Sequence, residues 1–223
     1  FLDKTNNQVK PIGSELINIK SIDDTHVDAQ LKTVNIQIAC DVTNPLFGTN
    51  GAAHVYAKQK GASKSDIEYL DQGLQSFSKV LDAHFNTNVQ DISGAGAAGG
   101  MGAGCVTFLN GTLSPGIELV KQIADFDNKI KNADWLITGE GKLDSQTLSG
   151  KAIDGILKSA KSKGIKVATF CGSVDLSQEA LQNIGIQYSA SIMDKAKNFE
   201  DALINTEDYL KMITQQFVTE ING

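Results

Sequence analysis

The chain has 223 residues, of which 41% are hydrophobic and 21% charged, proportions that are typical of globular proteins and exclude a disordered chain. A length of this size predicts one large domain or two small ones. The 26 acidic and 20 basic residues leave a net charge of −6, so we expect no nucleic-acid partner. All the basic residues are lysines, and any bound anion must therefore be held by ammonium groups, backbone N–H groups or helix N-termini.

The apolar runs, the cysteines and the first residue bear on where the protein works. No apolar run approaches the roughly 18 residues of a membrane span, so we expect no membrane partner. Cys40, Cys105 and Cys171 are far apart and form no CxxC pair, which predicts reduced thiols in a cytoplasmic protein. Because the chain opens at Phe1 and not at Met, we expect it to be a piece of a longer protein.

The first part of the chain predicts an irregular segment, a strand and a long helix. Val34, Ile36 and Ile38 alternate with more polar residues, which is the period of a strand with one solvated face. Ser65 and Glu68 have the spacing of a capping box and predict a helix start. An apolar stripe at spacings of three and four then predicts an amphipathic helix that faces a core. The stripe consists of Ile67, Leu70, Leu74, Phe77, Leu81 and Phe85.

Two short polar groups flank this strand and helix. Asp41 ends the predicted strand and meets the turn at Asn44-Pro45, whereas Gln59 and Lys60 place an amide and a cation just before the helix. Taken alone, such polar residues more often stabilise a turn than form a binding site. The pattern leaves both interpretations open.

Residues 94–100 contain the pattern GxGxxG, which has two interpretations. A dinucleotide-binding fingerprint needs a buried strand before it and an acidic residue about 20 positions later. The preceding residues 89–92 make a poor strand, and Glu118 sits at a predicted helix start. Alternatively, the glycines from Gly99 to Gly104 lie inside a helix that runs to Leu109, at roughly 1 kcal/mol each relative to Ala. That penalty predicts close backbone packing, or a ligand that approaches the helix start.

The pattern of apolar residues changes from about residue 130. Residues 135–137 and 167–170 are short, continuous apolar runs, and a helical segment over 152–163 lies between them. The alternation continues through residues 180–184, 188–193 and 202–217. Strands without polar alternation, separated by helices, predict a parallel sheet that is covered on both faces. We therefore expect an α/β protein with two α/β parts, a mixed-sheet domain over 1–115 and a parallel, doubly wound domain over 116–223.

Residues 138–147 follow the first of these apolar strands and carry the strongest functional signal. The carboxyl ends of strands are where open α/β sheets bind their ligands. Glu140 and Asp144 can hold a metal ion or accept a proton, and Lys142 and Lys151 can meet phosphate. The alternative is a tight loop with solvated charges.

Taken together, these segments resemble the class I bacterial glycerate kinases. They occur in the family's order across most of the chain. The resemblance implies ATP-dependent phosphorylation of D-glycerate, with Mg²⁺, in a protein of two α/β domains, one flavodoxin-like (the C-terminal one here) and one inserted. The matching residues are 40–46, 51–53, 59–62, 94–100, 114–118, 138–147 and 150–151.

This sequence departs from the family pattern in two ways. Ala57-Lys58 stands where members usually carry Gly-Pro before the Gln-Lys-Gly motif. The family's N-terminal segment, with its own Asp- and Lys-bearing motifs, is also missing. The chain therefore resembles the C-terminal part of a glycerate kinase, and we expect some of the active site to lie outside it.

Phosphoryl transfer to a hydroxy acid needs positioning, charge neutralisation and a group that takes the hydroxyl proton. We assign Asp144 as the base or magnesium ligand, with Glu140 as the second candidate for either role. The expected substrate-binding residues are Asp41, Asn44, Gln59, Lys60, Lys142, Gln146 and Lys151. Backbone approach to a ligand is expected at Gly94, Gly96, Gly99, Gly139 and Gly141.

Two other functions compete with a kinase. One is an oxidoreductase that binds a nicotinamide cofactor of the NAD type through the GxGxxG stretch. The other is a non-catalytic module in which residues 138–147 hold an anion. Protection by ATP with Mg²⁺, and ATP turnover with glycerate, are the observations that separate the three.

Overall fold

A computed structural model describes residues 1–144 and 152–223. Contacts within the chain divide it into two compact units, Phe1–Leu119 and Val120–Gly223. Both units combine helices with parallel strands, which confirms the predicted α/β class. The domain division at 115/116 stays a prediction.

The strands of the first unit are short. Strand β1 (Gln37–Ala39) pairs in parallel with β2 (Thr112–Ser114), and the antiparallel contacts of this unit are isolated bridges from Leu2. The strand is shorter than the alternation from Val34 predicts. Val34 is half-exposed, and pairing begins only where the carbonyl of Ile36 accepts the N–H of Thr112.

Helix α1 (Lys64–Phe85) carries the predicted apolar face. Leu74 and Leu81 are buried, and the other four stripe residues are half-buried against the same core. The predicted cap was wrong by two residues. The hydroxyl of Ser63, not that of Ser65, accepts the N–H of Asp66, and the Asp66 carboxylate accepts the N–H of Ser63 in return. Left-handed Gly61 ends the preceding turn, and Ser63 is extended.

The glycine stretch leads into helix α2 (Ala97–Leu109) by an irregular path. Ala98, Gly99 and Gly100 have left-handed backbone angles, so regular helical turns begin after them. The prediction that glycines lie inside a helix therefore holds for Gly102 and Gly104 but not for Gly99 and Gly100. Helix α3 (Gly116–Ile123) follows β2 and includes Glu118 in its first turn, as predicted.

The second unit is built on a parallel sheet of three strands in the order β3-β5-β7. Leu136 and Val167 point to one face, where they pack with buried residues of the helices that follow β3 and β5. Trp135 points to the other face and packs edge-on against Phe217. Helices therefore cover both faces, as the apolar strands predict. The strands are β3 (Trp135–Thr138), β5 (Lys166–Cys171) and β7 (Tyr188–Ser191).

The predicted helical segment over 152–163 is confirmed, whereas the predicted segment over 202–217 belongs to two helices. These two helices meet at Asn205, and a 3₁₀ turn at Ile192–Asp194 ends the run that begins at β7. None of the helices in the described part of the chain is long and apolar enough to cross a bilayer. The helices are α4 (Phe126–Lys129), α5 (Ala152–Lys163), α6 (Gln178–Ile184), α7 (Phe199–Ile204) and α8 (Thr206–Asn222).

Candidate active site

The loops that leave β3 and β5 lie against each other at the carboxyl end of the sheet. The N–H of Gly172 donates to the carbonyl of Glu140, and the N–H of Ser173 donates to the carbonyl of Gly141, both at 3.0 Å. A β-carbon on Gly139 would overlap the carbonyl oxygen of Phe170, so only glycine fits there. This close approach continues into a second parallel pair, β4 (Lys142–Leu143) with β6 (Ser173–Val174).

Glu140 holds an unsatisfied carboxylate oxygen at this end of the sheet. Its Oε2 atom is buried and has no hydrogen-bond partner among the described residues. A buried carboxylate oxygen without a partner is costly, so the site favours an added cation or proton donor. Burial raises the pKa of the neighbouring Cys171 thiol, which therefore stays neutral. The described chain contains Cys171 and the other two cysteines as free thiols, as predicted.

Lys142 lies between two carboxylates. Its Nζ atom is 3.5 Å from Oδ2 of Asp144 and 3.2 Å from Oδ2 of Asp175. The hydrogen bond to Asp175, together with both negative charges, raises the pKa of Lys142. The ammonium group is therefore held charged beside Asp144, whose side chain is only 25% exposed.

Asp175 is a neighbour that sequence analysis missed. It follows β6, and its N–H donates to the carbonyl of Leu143 at 2.8 Å, which brings it beside the strand that carries Lys142. Its position in the chain, 33 residues after Lys142, gives no local signal. The pairing of β4 with β6 is what makes the two residues neighbours.

A cavity of about 650 Å³ opens beside these loops. Its polar lining includes Glu140, Lys142 and Ser173. Its apolar lining comes from the ends of β5 and β7 and from one face of α7 and α8, which sequence analysis also missed. The four-residue spacing of 199 and 203 in one helix, and of 206 and 210 in the next, was the available signal. The apolar wall, as we call it from here on, consists of Phe170, Ile192, Met193, Phe199, Leu203 and Leu210.

Two predicted binding residues of the first unit are held by its own loops. The carboxylate of Asp41 accepts the N–H of Gly116 at the start of α3, at 2.8 Å. The amide of Asn44 donates to the carbonyl of Asn50 at 3.0 Å and accepts the hydroxyl of Tyr56 at 2.7 Å. Asp41 thus links the end of β1 to the start of α3, whereas Asn44 bonds within its own loop and to Tyr56.

The other candidates of the first unit differ in exposure. Gln59 and Lys60 are exposed in a 3₁₀ turn (Lys58–Lys60), and Lys60 lines a cavity of about 170 Å³ together with Gly99. Gly94 and Gly96, by contrast, are buried. A 3₁₀ turn at Val89–Asp91, rather than a strand, precedes the glycine stretch, so the strand-turn-helix context of a dinucleotide site is missing there.

The structure thus gathers one group of predicted residues at the carboxyl end of the sheet of the second unit. This group contains Gly139, Glu140, Gly141, Lys142 and Asp144. Gln146 and Lys151 lie outside the described residues, so their predicted roles stay predictions. The remaining candidates belong to the first unit.

Comparison with known proteins gives a consistent result over the whole chain. The glycerate kinase family matches residues 1–222. The chain is 40% identical to a glycerate kinase of Halalkalibacterium halodurans over 89% of this chain and 52% of that protein. It is 36% identical to a glycerate kinase of Bacillus subtilis (99% and 58%). It is 35% identical to a glycerate 2-kinase of Escherichia coli (92% and 54%).

A solved structure extends the match to three dimensions. A Salmonella typhimurium LT2 protein assigned as glycerate kinase 2 superposes with a TM-score of 0.82 at 34% identity, covering 99% of this chain and 57% of that one. The chain thus spans somewhat more than half the length of the relatives it matches. At this identity and coverage, the chain belongs to the glycerate kinase family.

Proposed function

We propose that the protein carrying this chain is an ATP-dependent kinase that transfers the γ-phosphate of ATP to a hydroxyl of D-glycerate, giving phosphoglycerate and ADP. The observation that carries the proposal is the charged group at the carboxyl end of the second unit's sheet, where Glu140, Lys142 and Asp144 lie together. Family membership supports the choice of reaction, and the relatives named above supply the acceptor acid. We place the reaction in the cytoplasm.

Asp144 is the proposed general base. The glycerate hydroxyl oxygen forms a bond to the γ-phosphorus, the bond from that phosphorus to the bridging oxygen breaks, and the hydroxyl proton passes to the Asp144 carboxylate. The neighbouring Lys142, 3.5 Å from this carboxylate, stabilises the negative charge of the transferred group. Lys is suited to this as a point charge, in a chain that contains no arginine.

Glu140 is the proposed anchor for Mg²⁺. Its buried Oε2 atom, which has no hydrogen-bond partner in the described part of the chain, fits a hard cation. Mg²⁺ is commonly held by one or two carboxylates together with substrate phosphates. The described residues contain no group of three or more His, Cys, Asp or Glu side chains placed around a metal position. When bound, Mg²⁺ would neutralise charge on the phosphate oxygens.

The remaining candidates are proposed to position the small-molecule substrates. Lys60 offers an exposed cation and Gly99 an exposed backbone beside one cavity. Gln59, Gln146 and Lys151 are proposed contacts for phosphate or for the glycerate carboxylate. Asp41 and Asn44 are also proposed contacts, and both already make hydrogen bonds within the first unit.

Transfer of phosphate to glycerate tests the proposal directly. The complete protein is incubated with ATP, Mg²⁺ and D-glycerate, ADP release is followed by a coupled assay, and the product is examined by phosphorus NMR. We expect ADP release that depends on D-glycerate and a phosphate ester on one of its two hydroxyls. Reduction of NAD, or binding of ATP without transfer, would instead support the oxidoreductase or the anion-binding module.

A further inference from the structure

The cavity beside Glu140 and Lys142 has more apolar surface than phosphate or glycerate requires. Its volume of about 650 Å³ lies within the range of small-molecule sites. Glycerate has three carbon atoms and is polar throughout, so it cannot use the apolar wall. A second, larger ligand with an apolar face would fit it.

We infer that the apolar wall holds the purine base of the nucleotide, with the phosphates directed toward Glu140 and Lys142. This inference rests on the proposed function, since it assigns the position of ATP within that same site. The cavity has the polarity that a nucleotide needs, charged at the loops after β3 and β5 and apolar along α7 and α8. Aromatic and aliphatic side chains offer flat contact to a purine face.

The exposure of two residues of the apolar wall supports a ligand on it. Phe199 is 69% exposed and Leu203 is 63% exposed, although both line the cavity. Large apolar side chains left exposed in a cluster commonly mark a binding surface. A purine ring seated against them would remove apolar area from water on both partners, which favours binding.

Two polar groups next to the apolar wall, the Thr206 hydroxyl and the Met193 N–H, already bond within the protein. The hydroxyl of Thr206 donates to the carbonyl of Ala202 at 2.7 Å, and the N–H of Met193 donates to the carbonyl of Gly172 at 3.0 Å. The base would thus be held by its faces more than by hydrogen bonds to its edge. Sites that do not hydrogen-bond a group discriminate weakly against its replacement, so ATP and GTP should bind within roughly tenfold of each other.

Neighbouring residues of α7 provide a matched pair of variants for the test. Leu203 lines the cavity, whereas Ile204 is 74% exposed and is not among the lining residues. In the complete protein, Leu203→Glu should weaken binding of a non-hydrolysable ATP analogue by at least roughly tenfold, since it replaces apolar contact with a like charge near the phosphates. Ile204→Glu should leave the affinity within about twofold, since it makes no contact with the ligand. Affinity is measured by isothermal titration calorimetry.

Photolabelling gives a second readout that does not depend on folding of a variant. The wild-type protein is labelled with 8-azido-ATP, which reacts from the purine ring, and the modified peptides are mapped by mass spectrometry. We expect label within residues 192–210, and its loss when ATP or GTP competes. Tripolyphosphate, which has no base, should compete far less well.

The outcomes separate this inference from the proposed function. Label outside the second unit's cavity, or equal affinities of the two variants, would overturn the position of the base and leave the kinase intact. ATP preferred over GTP by more than about a hundredfold would overturn recognition by the faces of the base. Binding and labelling as expected, without transfer of phosphate to glycerate, would keep the nucleotide site and reject the proposed reaction.

Discussion

At the scale of single residues, Lys142 defines the candidate site. It lies within 3.5 Å of Asp144 and 3.2 Å of Asp175, so the one ammonium group is shared by two carboxylates. The local sequence after β3 predicted that Glu140, Lys142 and Asp144 belong to the site, because ligands bind at the carboxyl ends of strands in open α/β sheets. It could not predict Asp175 or the apolar wall, which come from segments that only the pairing of distant strands and helices brings near.

Asp144→Asn tests the proposed base. The substitution keeps the shape of the side chain but removes its ability to take a proton, so kcat in the complete enzyme should fall by roughly two to four decades. The midpoint of thermal unfolding should stay unchanged, because the side chain lies outside the buried core clusters. Asp208→Asn is the control, an exposed carboxylate on α8 that should leave kcat as it is. A mutant with wild-type kcat would remove Asp144 from the mechanism.

Lys142→Ala and Lys60→Ala test how the chain binds anions without arginine. Each change deletes a point charge, so each should raise a KM severalfold, and the substrate affected identifies the partner of that lysine. Lys211→Ala is the matched control, since this lysine pairs with Glu207 on the exposed side of α8. Steady-state kinetics, with ATP and glycerate varied in turn, give kcat and both KM values for each variant. If both KM values and kcat are unchanged, that lysine makes no contact that the reaction uses.

At the scale of elements, regular helices were predicted better than their ends. The apolar stripe of α1 fixes the buried face, because it depends only on the 3.6-residue repeat. The cap was misplaced because Ser63-x-x-Asp66 and Ser65-x-x-Glu68 both fit the same pattern, and the backbone of Gly61 decides between them. Likewise, the break at Asn205 between α7 and α8 depends on contacts around Asp201 that the apolar pattern does not contain.

Two glycines of α2 should respond to alanine in opposite directions. A β-carbon on Gly102 would overlap the carbonyl oxygen of Gly94, whereas one on Gly104 meets nothing within 4 Å. Gly104→Ala should therefore raise the free energy of unfolding by about 0.5–1 kcal/mol, the helix preference for alanine. Gly102→Ala should lower it by roughly 1–3 kcal/mol through overpacking. Urea unfolding measures both, and equal shifts in the two variants would contradict close packing at Gly102.

The junction of α7 and α8 should depend on pH through Asp201. Its carboxylate accepts the N–H of Lys197 at 2.9 Å and the hydroxyl of Tyr209 at 2.7 Å, and these bonds lower its pKa below the usual 3.8. Because the folded pKa lies below the unfolded one, the stabilisation is complete above pH 3.8 and is lost as the pH falls through the folded pKa.

The measurement compares the thermal midpoints of wild type and Asp201→Asn by circular dichroism across this range. The variant should melt a few degrees lower near neutral pH, and the gap should close in acid. Tyr209→Phe removes one of the donors and should show a smaller gap of the same sign. A gap that persists unchanged well below pH 3.8 would contradict the assignment.

At the scale of the whole molecule, the predicted residues divide between two compact units. The charged group and the apolar wall belong to Val120–Gly223, whereas Asp41, Lys60 and the glycine stretch belong to Phe1–Leu119. Composition and periodicity predicted two α/β parts because each part buries its own apolar faces. They carry no information on which segments of the two parts serve one ligand, since that depends on contacts between residues far apart in the chain.

Nucleotide binding should therefore shift the unfolding transition of the second unit. Trp135 is the single tryptophan of the chain and packs against Phe217 on the sheet of that unit, so its fluorescence reports the unit's unfolding. A ligand that binds only the folded state adds about 2.7 kcal/mol of stability at a hundred times its dissociation constant. ATP with Mg²⁺ should thus raise the midpoint of the Trp135 transition, and NAD at the same concentration should not. A shift with NAD alone would favour the oxidoreductase over the kinase, and a shift with neither would place the nucleotide away from the apolar wall.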